Sequence, residues 1–205
     1  VLPLLWGCYL RRMMVLASQS PRRKQLLEWA HISFEVVVSA TDETYPSHLT
    51  VNEVPIHIAT EKALAVAAQL KATNHPLQQA PILAADTIVV INDTIIGKPA
   101  NNEEALATLQ LLNGQQHQVI TGVCLLHQGV THCFSTTTNV YFNTLTDEQL
   151  AWYVAQYQPF DKAGAYAIQE WIGVVGIQKI EGCFYNVMGL PVSKVVQLLQ
   201  QLHII

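Results

Sequence analysis

Charge is scarce in this chain. Only 13% of its 205 residues are Asp, Glu, Lys or Arg, 50% are hydrophobic, and the net charge is −4. So apolar a composition excludes a disordered chain, and without a basic excess there is no field to hold a nucleic-acid duplex. No apolar run reaches the roughly 20 residues that a bilayer-spanning helix needs. The chain has no GxxxxGK followed by Ser or Thr, which excludes a P-loop, and no GxGxxG after a strand-like run, which argues against a dinucleotide fold. A GxSxG nucleophile elbow is also missing, so Ser18 and Ser20 have no ready-made nucleophile context. His31, His48, His57, His75, His117, His127, His132 and His203 are scattered without metal-ligand spacing, which disfavours zinc. Cys8, Cys124, Cys133 and Cys183 form no CxxC pair and read as reduced, buried small hydrophobes of a cytoplasmic protein.

The first dozen residues stand apart. Residues 1–10 are apolar but far too short to cross a membrane, and Arg11 and Arg12 follow the apolar run instead of preceding it as in a secretory signal. Met13 and Met14 then stand directly before the first strand-like run. The expectation is an N-terminal extension over 1–12 and a single domain over 13–205.

From Met13 onward, strands and helices alternate. Met13–Ala17 reads as a buried strand that runs into a Ser20–Ala30 helix, with Ser20 as N-cap and Pro21 at the first helical position. Phe34–Val38 reads as a strand, and Val54–Leu70 has helical spacing. Ile82–Ile91 is an apolar strand that turns at Asn92-Asp93 into Ile95-Ile96. Asn101 and Glu104, then Thr146 and Gln149, are spaced as capping boxes at the start of two helices. Gln118–Leu126 and Thr131–Tyr141 form a hairpin around Gln128-Gly129. Pro159–Gly173 reads as a long loop, followed by a strand at Val174–Ile180 and an amphipathic helix from Pro191 to Leu202. Mixed order with antiparallel pairs predicts an α/β or α+β architecture in two lobes around a cleft.

Within this frame a few residues carry chemistry. Arg22, Arg23 and Lys24 occupy the first turn of a helix, where the helix dipole disfavours cations by about 0.3–1 kcal/mol each and welcomes an anion. A phosphate-rich ligand docked there would resolve the conflict; a basic surface turn screened by water and salt is the plain alternative. Asp86 interrupts the apolar run Ile82–Val90, where an unpartnered carboxylate is costly. It therefore reads as facing a cleft, holding metal or accepting a proton, unless a neighbouring turn satisfies it. Glu43 lies in a loop that reaches a divalent ion or stays solvated. Lys62 sits on a helix whose polar face would suit it, and Lys98 lies on the tight Gly97-Lys98-Pro99 turn, which aims an ammonium. Lys162 belongs to the long loop, where binding residues concentrate.

Seven segments occur in order: Leu16-Ala17-Ser18-Gln19-Ser20-Pro21-Arg22-Arg23, Thr60-Glu61-Lys62-Ala63, Ala85-Asp86-Thr87, Gly97-Lys98-Pro99, residues 117–122 (HQVITG), residues 161–169 (DKAGAYAIQ) and residues 186–191 (NVMGLP). Together they resemble the Maf family of nucleoside triphosphate pyrophosphatases, and the 161–169 stretch is similar to the branch acting on dTTP and UTP. The resemblance implies a Maf/ITPase-like mixed sheet with flanking helices, and hydrolysis between the α- and β-phosphates. By position it makes Asp86 the proton acceptor. It places Arg22, Thr87 and Gln169 at the positions that tune base choice, and Arg23, Lys62 and Lys98 on the triphosphate. Ser18 would offer a hydroxyl near the phosphates, and Lys162 joins the substrate-binding set. Glu43 and Asp86 would hold a divalent cation, Mg2+ or Mn2+. The resemblance also implies a homodimer. Glu170-Trp171 departs from the family, which tends to have glycine after Gln169. Two other readings stay open: preference for another nucleotide such as 7-methyl-GTP, and a nucleotide-binding regulator of septum formation.

Overall fold

The computed structural model describes residues 13–205, so the expected 1–12 extension lies outside the described residues. Seven strands form one mixed sheet, in the order β2-β1-β3-β5-β6-β7, with β4 also paired to β3. The strands are β1 (Met14–Leu16), β2 (Phe34–Val36), β3 (Ile82–Ile91), β4 (Thr94–Ile96), β5 (Gln116–His127), β6 (Val130–Phe142) and β7 (Ile177–Glu181). Pairing is parallel between β1 and both β2 and β3, and antiparallel elsewhere. The expected mixed sheet with flanking helices is therefore present.

Strand periodicity sorts the core onto two faces. Leu83 and Ala85 of β3, with Val123 and Leu125 of β5, pack in the larger core together with Leu26, Leu109, Leu150 and Leu199 of the helices α1 (Pro21–Trp29), α3 (Asn102–Leu112), α4 (Asp147–Tyr157) and α7 (Val192–Gln201). Ile82, Ala84 and Cys124 face the other way, onto Ala59, Ala63 and Val66 of the long helix α2 (Val54–Ala72). Gly122 makes that contact close: a Cβ there would stand 2.2 Å from the Pro55 carbonyl carbon, so α2 rests on bare β5 backbone.

Local signals explain most boundaries. Asn92 and Asp93 both take positive φ (48° and 59°), as do Gln128 and Gly129 (51° and 78°), giving the two tight hairpins. The Thr146–Gln149 capping box forms in full. At the first helix with a cap of this kind, Asn101 accepts from Glu104 N, while the Glu104 carboxylate turns back to Ala100 N.

Two expectations require correction. Ser20 holds the N-cap position of α1, yet its hydroxyl caps nothing; its backbone N–H donates to the Ser18 hydroxyl instead. Residues 171–176 form helix α5 (Trp171–Gly176) where a strand was expected from Val174, and β7 begins only at Ile177. The β-branched Val174-Val175 pair suggests a strand, but Val174 is 81% exposed and Gly173 lies against the Ile168 carbonyl, where a Cβ would come within 1.7 Å of the oxygen. The chain folds back too tightly there for an extended backbone. A short helix α6 (Phe184–Met188) then ends at Gly189, in the left-handed region (φ 116°).

Candidate active site

The site begins with a gap in the strand ladder. On one edge β3 pairs with β1 only at Ile82 and Leu83, and with β4 only from Val89 to Ile91. Between those pairings the edge is open. Residues 84–88 keep their β5 partners on the other side, so the backbone is held while Asp86 and Thr87, which project to opposite faces, both look into the notch. The chain leaving β1 turns away through Ser18 into α1 and forms the opposite wall. The result is a cavity of about 550 Å³.

Five cations line it: Arg22, Arg23, Lys62, Lys98 and Lys162. Three carboxylates face them, namely Glu43, Asp86 and Asp161. At one end Lys62 Nζ donates to both Glu43 Oε1 (2.7 Å) and Asp86 Oδ1 (2.8 Å), and Lys98 Nζ donates to Glu43 Oε2 (3.1 Å). Burial alone would raise Glu43. The hydrogen bonds and charges of Lys62 and Lys98 more than reverse that and hold it at about 2. Asp86 is only 7% exposed. Its burial among Ala84, Ile88 and α2 is tolerable because Lys62 meets it.

In the middle, Arg23 is fixed by three oxygens of this chain. Nε donates to the Gly189 carbonyl (2.8 Å), Nη1 to Ser18 Oγ (3.1 Å) and Nη2 to Thr87 Oγ1 (3.0 Å). Burial lowers its pKa from the ordinary value, with Asp86 and Glu43 pulling the other way and Arg22 adding to the fall. Guanidinium stays charged regardless, so this is a half-buried cation whose hydrogen-bond acceptors are all neutral. Behind it a polar chain runs into the sheet: Thr87 Oγ1 to Thr121 Oγ1 (2.9 Å), Thr121 to the Asn186 carbonyl (3.1 Å), and Asn186 Nδ2 to Thr138 Oγ1 (3.0 Å). That chain ties α6, and hence the Gly189 carbonyl, to β5 and β6.

At the far end Arg22 Nη1 meets Asp161 Oδ2 (3.0 Å), and Lys162 Nζ meets Asp161 Oδ1 (2.8 Å) and Glu170 Oε1 (3.5 Å). Burial would raise Asp161, but Lys162 and Arg22 more than offset it and leave the carboxyl below its usual range. Glu170 also accepts from the Tyr153 hydroxyl. Apolar wall is supplied here by Val89, Val119, Tyr166 and Met188. Tyr166 is braced by His117, whose Nε2 lies 2.8 Å from the phenol oxygen. Burial holds that imidazole down at about 4.

The structure thus brings together Ser18, Arg22, Arg23, Glu43, Lys62, Asp86, Thr87, Lys98 and Lys162 in one cavity. Gln169 is not among them: it is exposed and off the cavity wall. Its neighbour Ile168 is buried and Glu170 is tied down at the start of α5, which turns the Gln169 amide outward. Sequence reasoning missed Asp161, Tyr166 and Gly189, although all three lie in the quoted segments and could have been found there as acceptor, wall and kink. The cysteine reading also needs correction, since Cys133 is exposed and Cys183 half-buried; only Cys124 among these is buried.

Hard oxygen donors are present for a divalent ion in Glu43 and Asp86, which share one lysine. Among the described residues no cluster of three or more His, Cys, Asp or Glu gathers as a complete cage. Two carboxylate donors suit a hard divalent ion that keeps waters and takes further ligands from phosphates. Among the described residues no helix is long and apolar enough to cross a membrane.

Residues 13–202 match the family described as Maf-like protein. The dTTP/UTP pyrophosphatase of Phocaeicola vulgatus is 46% identical over 189 residues, covering 92% of this chain and 95% of that one. The protein of the same name from Porphyromonas gingivalis is 47% identical over 179 residues, covering 87% and 88%. Its Bacteroides fragilis counterpart is 42% identical over 193 residues, covering 94% and 97%. The solved structure of the Staphylococcus aureus Ham1 protein aligns at a TM-score of 0.45 and 15% identity, over 63% of this chain and 71% of that one. Seven segments in register, a family match across the whole sheet and relatives of this similarity have one common reading: the chain belongs to the Maf family.

Proposed function

We propose that this protein is a nucleoside triphosphate pyrophosphatase that hydrolyses dTTP and UTP to the monophosphate and pyrophosphate. The observation that carries the reading is the buried Asp86 carboxylate facing a cavity in which Arg23 is met only by neutral oxygens. Relatives at 42–47% identity bearing that activity in their names support the choice of substrates.

The residues divide the work. Lys62 occupies Asp86 Oδ1, which leaves Oδ2 to take a proton from water. The water oxygen bonds to the α-phosphorus, the bond from that phosphorus to the bridging oxygen breaks, and pyrophosphate leaves with the bonding pair. A positioned base of this kind contributes about 10²–10⁴ in rate. The remaining N–H groups of Arg23, with Lys62 and Lys98, face oxygens whose charge grows in the transition state, which is where preorganised donors contribute most. Ser18 and Thr87 fix the Arg23 fork. A divalent cation held by Glu43 and Asp86 would neutralise phosphate charge. The pyrimidine then falls to the apolar end by Val89, Tyr166 and Met188, with Arg22, Thr87 and Lys162 at its edge. Gln169, exposed and off the cavity wall, does not join them. The site suits a cytoplasmic enzyme, since that is where nucleoside triphosphates are found.

Pyrophosphate release over a panel of nucleoside triphosphates, with magnesium or manganese, tests the proposal. Cleavage of dTTP and UTP ahead of purine nucleotides is expected. Preference for 7-methyl-GTP would overturn the substrate assignment, and absence of cleavage throughout would overturn the enzymatic one.

A further inference from the structure

Away from the cavity, two cysteines face each other across the longest hairpin. Cys124 of β5 and Cys133 of β6 are directly opposed in the antiparallel register. Opposed residues share a face and bring their Cβ atoms to about 4.5–5.5 Å, close to what a disulfide spans. The two differ sharply in access. Cys124 is fully buried beneath α2 with Ala59 and Ala63, whereas Cys133 is exposed at the rim of the same helix, 3.5 Å from the Thr60 hydroxyl. Cys183 has no such opposite number in the strand register.

We propose that Cys133 and Cys124 form a peroxide-reactive dithiol, with Cys133 the attacking thiolate and Cys124 the resolving thiol. Hydrogen bonding from Cys124, supported by Thr60 and opposed by burial, draws the Cys133 thiol below its ordinary value; the same contact, with burial, pushes Cys124 up. The exposed sulfur is the one a peroxide can reach, which makes it the nucleophile and leaves the buried one to resolve it. The co-reactant is a hydroperoxide. Cys133 sulfur takes its distal oxygen as the O–O bond breaks, giving a sulfenic acid and releasing hydroxide or alkoxide. Cys124 sulfur then attacks the Cys133 sulfur, its proton leaves with the sulfenic oxygen as water, and the disulfide forms. Two thiols lose two electrons and the peroxide gains them. A thiol reductant reverses the step, so a neighbouring resolving thiol protects Cys133 from irreversible oxidation.

The test uses the whole chain, hydrogen peroxide, and peptide mass mapping after denaturation and alkylation. A reducible Cys124–Cys133 disulfide with Cys183 still alkylated is expected. In Cys124→Ser, dimedone should label Cys133 about tenfold faster than Cys183 after peroxide. In Cys133→Ser, no intramolecular disulfide forms and Cys124 stays reduced, with the folded spectrum retained because the substituted side chain is exposed. Alkylation of both cysteines at the rate of Cys183 overturns the proposal, as does a disulfide only between chains.

Discussion

One end of the cavity and its middle treat charge in opposite ways. Around Asp86 every charge has a partner of opposite sign: Lys62 bridges Glu43 and Asp86, and Lys98 completes the set. Around Arg23 the hydrogen-bond partners are a carbonyl and two hydroxyls, so a half-buried cation is geometrically fixed with no carboxylate in direct contact. The contrast assigns different jobs. A balanced cluster can be buried and kept ready for chemistry, because its acids are stable without substrate. A rigid guanidinium with only neutral acceptors gains most when an anion arrives, so it supplies binding and transition-state stabilisation.

If this division holds, removing the shared cation should do more damage than removing one of its acid partners at Glu43. Lys62→Met leaves two acids facing each other with only Lys98 nearby, and kcat/KM for dTTP is expected to fall by about 10³. A smaller but separable effect belongs to the apolar end. His117 has its folded pKa depressed from the ordinary 6.5 to about 4, so the unfolded chain binds a proton that the folded one refuses. Stability is therefore full above pH 6.5 and declines as pH falls towards 4, by about 3 kcal/mol. His117→Gln should flatten that slope in denaturant titrations between pH 6.5 and 5 while leaving Tyr166 a hydrogen-bond partner. Next, Arg23→Lys keeps the charge but loses the three-point fork, and kcat/KM should drop about 10²-fold with little change in thermal stability. Least affected is Glu43→Gln, for which the magnesium concentration at half-maximal activity should rise about tenfold. Equal losses from Lys62→Met and Glu43→Gln would erase the distinction between the shared cation and one of its acids.

Much of this arrangement was legible in the sequence, and for definite reasons. Turn residues that favour positive φ, Asn92-Asp93 and Gly129, marked both hairpins because few other residues accept that backbone. Asp86 was visible as a polar break in a buried run, and Arg22-Arg23 as cations at the wrong end of a helix. What remained hidden depended on distant parts of the chain. That Lys62 joins Glu43 to Asp86 follows from α2 lying directly on Gly122, a contact no local spacing encodes. The misread strand at Val174 failed because β-branched residues signal a strand only when a neighbour covers them, and here Val174 faces outward. Gln169 lies within a matching segment, but the burial of Ile168 decides where its side chain goes.

The most direct test of the division between binding and chemistry is Asp86→Asn, measured for dTTP affinity and for turnover on the same preparation at saturating magnesium. Affinity within about threefold of the unaltered protein is expected, while kcat falls by about 10²–10⁴. Turnover equal to that of the unaltered protein would contradict it, because the water would then be losing its proton to some other group.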